Sequence, residues 1–438
     1  MSAKPRRDTF CGSPEHSLDR RRFLGALAGG AAAVAADMTV LDLLKSPVLA
    51  GELKKQQKRV ILLWLAGGSS QLETWDPKPG ASTGGPFRAI STSVPGIQIS
   101  ELMPKMAQRM EHTCIIRSLN TKNGDHAAGA RLMMRGRMDD PSLRYPDLGA
   151  VLARELGQAH SKVPDYVSFY SATEGRDFAP GAAGFLGSRY APMELTTGHM
   201  PENIHRPESL SETDHAARAE LRELLSRRFA RGRASSDLGA HNEAYQRVRG
   251  IMASDKLFDL AQEPQKVRDE YGPTQFGEQA LIARRLAEAG VPFIRVGRAW
   301  WDSHGQNFET HQEMVPELDH VMATLLDDLR RRGMLETTLV ITLAEFGRTP
   351  TINPSLGRDH FASAWSATLS GCGIQGGSVF GKTDEKGQAV VDGEVGAPEL
   401  FATIFQALGI NHQKNYRVGS RPVPLTEPGT EPITSVLA

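Results

Sequence analysis

Cysteine is scarce in this chain: 438 residues hold three, Cys11, Cys114 and Cys372. A disulfide framework is excluded as the main source of stability, and Cys114 and Cys372, in apolar or glycine-flanked stretches, read as buried free thiols. Charge of one sign is lacking too. Lys and Arg total 51 and Asp and Glu total 51, a balance that gives no support to a nucleic-acid partner. Beyond residue 50 no apolar run approaches the roughly 20 residues of a membrane-spanning helix. A dinucleotide fingerprint is missing as well, because "LAGGSSQ" does not carry the G-x-G-x-x-G spacing, and with it goes the simplest case for an oxidoreductase. No internal repeat is present.

The N-terminus is distinctive. "SLDRRRFLGALAGGAAAVAA" sets Arg20, Arg21 and Arg22 before a short Gly/Ala-rich apolar stretch, the pattern of a twin-arginine secretory signal. Residues 1–50 are therefore expected to be removed on export, with cleavage near Ala50, leaving a single domain over 51–438 in the periplasm or outside the cell. That route carries folded proteins, which suits a chain loaded with a metal beforehand.

Past the signal, strands alternate with helices. "RVILLWLAGG", "HTCIIRSL", "YVSFYS", "VPFIRVG" and "TTLVITLAEF" are continuous apolar runs of strand length, as expected of parallel strands covered on both faces. Between the last two, Met314, Val315, Leu318, Val321, Met322, Leu325, Leu326 and Leu329 recur at helical spacing up to Gly333. The implied fold is a three-layer α/β/α domain with a mostly parallel central sheet. Residues 205–260, rich in Arg, Glu and Ala, read as a helical insertion or cap. In "LVITLAEFGRTPTINPSLGRDHF" the buried strand runs directly into Glu345, Arg348, Asp359 and His360. Ligand sites of open α/β sheets lie beyond the carboxyl ends of their strands, so this charge marks a candidate site.

"VITLAEFGRTP" with "GRDHF", "WWDSHGQNF" and "GGSSQLETWDPKP" resembles a family of uncharacterised, twin-arginine-exported, sulfatase-like bacterial proteins. That family in turn is similar to the alkaline phosphatase and sulfatase superfamily. The resemblance implies a divalent metal, Zn, Mn or Ca, at the carboxyl ends of the strands, and hydrolysis of a phosphate or sulfate ester, a glycan ester included. By the same resemblance Glu345 stands where a metal-binding Asp would, with Phe346 replacing a neighbouring His. Asp302 with His304 or His311 matches a segment supplying an Asp and a His, and His360 the late metal-binding His, with Asp359 beside it. Arg348 or Arg358 is expected to steady developing charge.

Two positions depart from the pattern. The first strand lacks its terminal Asp, since Leu65 runs into Ala66, Gly67 and Gly68, and only Glu73 or Asp76 stands close behind in sequence. The nucleophile position falls on His126 in "GDHAAGARLMMRGR", a residue able to be phosphorylated, to bind metal or to act as a general acid. Ser69 and Ser70 suggest either an anion-cradling nest or a plain turn. The competing expectation is a scaffold without turnover that binds a sulfated or phosphorylated glycan or a partner protein.

Overall fold

Residues 59–65 are apolar at every position but the first, and all seven are buried. A strand without an exposed side chain needs cover on both faces, so helices pack above and below it. The computed structural model describes residues 57–158, 163–172, 175–196, 207–231 and 255–438, with single positions at 198, 200, 201, 245, 250 and 252. The expected signal segment and part of the 205–260 stretch lie outside the described residues. The rest forms one compact unit, Lys54–Ala438.

Eight strands make one sheet: β1 (Arg59–Leu65), β2 (Thr113–Leu119), β3 (Tyr166–Phe169), β4 (Met193–Leu195), β5 (Phe293–Arg298), β6 (Thr338–Leu343), β7 (Trp365–Gly371) and β8 (Ser378–Phe380). Their order is β8-β2-β7-β6-β1-β5-β3-β4. Every pairing is parallel except those of β7, which runs antiparallel to both β2 and β6. The five expected strands are all present; β4, β7 and β8 were not expected. In β7 two polar side chains find partners across the sheet, Thr368 Oγ1 with Thr342 Oγ1 at 2.5 Å and Ser370 Oγ with Thr113 Oγ1 at 2.9 Å. These cross-strand pairs let a Ser/Thr-rich segment lie buried, although its composition resembles a loop.

Helices flank the sheet: α1 (His126–Arg135), α2 (Leu148–Leu156), α4 (Gln275–Ala289), α5 (Asn307–Arg331) and α6 (Ala397–Ala407), while a further helix, α3 (Glu212–Ala230), is exposed along most of its length. The predicted stripe of α5 is buried, including Met314, Leu318, Met322, Leu325 and Leu329. It joins β5 to β6, which lie on either side of β1. α3 supplies the described helical part of the 205–260 stretch, capped by Ser211 accepting from the Asp214 N–H. Because β5, β1 and β6 are parallel and in register (Leu65 opposite Arg298, Trp64 opposite Leu343), the residues that follow them emerge at one edge.

Candidate metal centre

At that edge β1 turns through Gly67 (φ +110°) and Gly68 (φ +86°). A Cβ on Gly67 would lie 2.5 Å from the Asp302 backbone nitrogen, and one on Gly68 2.8 Å from the Phe346 ring. Only glycine allows this conformation and this closeness together. The turn lets the Gly67 N–H donate to Glu345 Oε1 at 2.8 Å, so the loop that lacks a terminal acid holds the acid of β6 instead.

Four strand ends feed the site. Asp302 follows β5, Glu345 follows β6, His126 opens α1 after β2, and His360 comes from a two-stranded ribbon in which it pairs with Arg348. His126 bridges the two acids, donating from Nδ1 to Glu345 Oε1 at 2.9 Å and from Nε2 to Asp302 Oδ2 at 3.2 Å. Phe178 stacks on its ring, with centroids 5.1 Å apart. Burial alone would lower the His126 pKa, but the hydrogen bonds to Asp302 and Glu345 outweigh it and raise the value to about 9. Burial would likewise raise the Asp302 carboxyl, yet the bond from His126 and the Arg348 charge hold it well below the usual carboxylate range.

The opposite corner is arranged differently. His360 Nδ1 donates to the Gly124 carbonyl at 2.7 Å, and His304 Nδ1 donates to Asp359 Oδ1 at 2.8 Å. Each ring then presents an Nε2 lone pair. The two Nε2 atoms are 3.0 Å apart and lie 3.1 Å (His304) and 3.2 Å (His360) from Asp302 Oδ1. With both rings neutral, three acceptor atoms converge, a donor set that suits a cation. A divalent ion about 2.1 Å from each donor sets neighbouring donors about 3.0–3.4 Å apart, so spacing and donor chemistry both fit. His126 lies in a group with Asp302 and His360 whose ligand atoms are within 4.8 Å of one another, and would join the ligand set only as the neutral imidazole. Nearby, Glu345 Oε2 is buried without a hydrogen-bond partner.

The remaining candidates fall outside the cluster or serve it indirectly. His311 is fully buried: Nδ1 donates to the Asn307 carbonyl at 2.8 Å and Nε2 accepts from the Ser70 N–H at 3.0 Å. Burial pulls its pKa from 6.5 down to about 4, so it is a neutral strut under the glycine loop. Arg348 is buried beside the cluster, bonded to Asp302 Oδ1 at 2.6 Å and to the carbonyls of Gly67, Gly68 and Arg358. Arg358 directs all its donors to Glu73, Thr83, Thr349 and Pro350. Glu73 is therefore the partner of Arg358, while Asp76 pairs with Lys78 at 3.0 Å and accepts from Thr383; neither reaches the cluster. Asp359 orients His304, which in turn holds its carboxyl low. The first-loop N–H groups of Gly67 and Ser70 serve Glu345 and His311 rather than an outside anion.

Three contributors were not singled out from sequence. Asn353 donates to the His304 carbonyl at 2.9 Å and to Asp359 Oδ1 at 3.3 Å. Gln71 clamps the Arg348 backbone, accepting from its N–H at 3.0 Å and donating to its carbonyl at 2.8 Å. The Gly124 carbonyl fixes the His360 tautomer. Asn353 before Pro354 and Gly124 before Asp125 are turn signals that could have flagged two of them.

A family model described as "Protein of unknown function (DUF1501)" matches residues 57–437. No curated protein matches the chain. Among solved structures, the PsFucS1 sulfatase from Pseudoalteromonas sp. is 11% identical, with a TM-score of 0.40 over 82% of this chain and 69% of that one. The alkaline phosphatase from the Antarctic bacterium TAB5 is 12% identical, with a TM-score of 0.38 over 81% and 99%. The lipoteichoic acid synthase LtaP from Listeria monocytogenes is 9% identical, with a TM-score of 0.37 over 85% and 75%. No residue role follows from likenesses this distant.

Proposed function

We propose a function for this chain, which belongs to the DUF1501 family, from its own site: an exported, metal-dependent hydrolase of a phosphate or sulfate ester. The observation that carries this reading is the convergence of His304 Nε2, His360 Nε2 and Asp302 Oδ1 within 3.0–3.2 Å, with both imidazole tautomers held from behind. These three residues would hold the ion, a Zn, Mn or Ca. Bound there, a divalent metal supplies a Lewis acid beside the ester oxygen.

The other side chains have distinct tasks in this reading. His126, with both ring nitrogens donating, has no lone pair for attack. It keeps a proton at Nε2 against Asp302 and serves as an acid for a leaving oxygen. Glu345 and Asp302 preserve that proton, and Arg348 ties Asp302 to the glycine loop, a positioning role rather than contact with substrate. A second reading rests on one observation: the side chains of the cluster make no hydrogen bond to a Ser, Thr or Cys side chain among the described residues. Without such a nucleophile, the site would bind an anionic group, such as a sulfated or phosphorylated glycan, without turning it over.

Elemental analysis of protein purified without chelator tests the first reading together with aryl phosphate and aryl sulfate assays. About one divalent ion per chain is expected, with affinity falling at least about tenfold in His360→Ala and His304→Ala, since each removes a direct ligand. Absence of metal even after reconstitution with Zn, Mn or Ca would sink the metal centre. Bound metal with both esters inert would favour the second reading.

A further inference from the structure

Directly before Asp302 the chain does something costly. Trp300 adopts φ +76°, a left-handed conformation that large side chains rarely take, and leaves 67% of its surface exposed. A strained backbone that turns an indole out of the core needs a reason, and such residues gather at ligand sites. Trp300 lines a cavity of about 680 Å³ with Tyr170, itself 41% exposed. That volume lies within the roughly 300–1,000 Å³ of small-molecule sites.

The walls set the chemistry of what could fill the cavity. Ser171 is 4% exposed, lines the same cavity, and its Oγ has no hydrogen-bond partner. Gly297 opposite it has no room for a side chain, because a Cβ would fall 2.2 Å from Ser171 Cβ. The Ser171 hydroxyl packs over the Gly297 backbone and is shut off from the cavity space, so the groups that face an occupant are the two rings and the charged side chains. The charged lining is Arg298, Glu313 and Glu317, with Arg298 Nε already bonded to Glu317 Oε2 at 2.6 Å. One cation against two carboxylates disfavours an anionic occupant.

From this we infer that the cavity is a carbohydrate subsite that takes one neutral, unsulfated sugar unit. The Trp300 and Tyr170 rings offer electron-rich faces to the C–H bonds of a pyranose ring, while Glu313 and Glu317 meet its hydroxyl groups. Trp300 and Asp302 are two positions apart in the chain, no more than about 7 Å of backbone. That short link assigns the substrate as a glycan whose charged ester faces the metal and whose uncharged neighbour lies on Trp300. The inference rests on the proposed hydrolase reading only for that last assignment; sugar binding by the cavity stands independently.

Affinity electrophoresis of the full chain in native gels containing laminarin, galactan, mannan or xylan tests it directly. At least one of these neutral polysaccharides should retard the protein. Trp300→Ala should weaken that retardation at least tenfold and Tyr170→Ala about threefold, Trp300→Phe should keep most of it, and metal content should not change. No retardation by any of the four, or equal retardation of Trp300→Ala, overturns the inference. So does quenching of indole fluorescence by tetramethylammonium with all four polysaccharides silent, which would identify a cation cage instead. Retardation without turnover of any aryl ester would uphold the subsite while removing the hydrolase reading.

Discussion

Replacing Arg358 by Met should damage stability rather than chemistry. Arg358 and Glu73 are both completely buried and form a two-pronged pair, Nη2 to Oε1 at 2.8 Å and Nε to Oε2 at 3.1 Å. The other donors of Arg358 reach the carbonyls of Thr83, Thr349 and Pro350, closing the loop that leads to Asp359 and His360. Removing one partner of a buried pair strands the other charge, at a cost of about 3–5 kcal/mol. For a unit of roughly 380 residues, an unfolding entropy of about 2.1 cal/mol/K per residue gives about 0.8 kcal/mol/K, so the melting temperature should fall by about 5 °C. The double variant Glu73→Leu with Arg358→Met should recover a large part of that loss, because no lone charge remains and the two changes are coupled. Thermal unfolding monitored by circular dichroism measures all three proteins. A melting temperature unchanged within about 1 °C in Arg358→Met, together with lost aryl-ester turnover, would refute the argument and return Arg358 to the chemistry.

Three further outcomes are expected. Gly67→Ala should lower metal affinity at least about tenfold in a dye-competition assay, because a Cβ there meets the Asp302 backbone at 2.5 Å and a close first contact shifts a ligand; unaltered affinity would show that the loop does not position Asp302. His311 has a folded pKa near 4 against an ordinary 6.5, so its contribution to stability is complete above about pH 6.5 and declines as pH falls toward 4, by up to roughly 3 kcal/mol. Urea midpoints of His311→Gln should accordingly change less between pH 7 and pH 4 than those of the unmodified protein, and parallel curves would contradict the assignment. Changing Arg20 and Arg21 to Lys should retain the precursor in the cytoplasm on cell fractionation, because the twin-arginine route reads that pair; undiminished export would point to the general secretory pathway.

Much of the architecture was legible in the sequence because burial on both faces leaves a continuous apolar record. β1, β2, β3, β5 and β6 read directly as runs of Val, Ile, Leu and Phe, and α5 read from its 3.6-residue stripe. β7 did not, since Ser366, Thr368 and Ser370 alternate like a loop, and only partners on neighbouring strands, Thr342 for Thr368 and Thr113 for Ser370, let such side chains lie in the sheet. β4 and β8 are three residues each, too short to show any period.

The candidate site divides along a different line, between residue type and where donors point. Asp302, Glu345 and His360 were legible because acids and imidazoles directly after buried strands are hard to explain as packing. Their shared partner His126 lies 176 residues from Asp302, and that meeting depends on the sheet order. The choice between His304 and His311 was open in the sequence because both follow Asp302 closely. It turns on the start of α5: from its first turn His311 bonds back to the Asn307 carbonyl four residues earlier, while His304 stays in the loop before the helix and faces Asp359. The arginines show the same dependence most clearly. "GRTP" and "GRDH" look alike as charged loop motifs, and an arginine in either could steady an anion. Which it does is decided by how many carbonyls surround its five donors, and for Arg358 that number is set by a loop that returns on itself from Thr349. A guanidinium so enclosed has no N–H left to offer a substrate, so its contribution to the site is the loop geometry that brings His360 to Asp302.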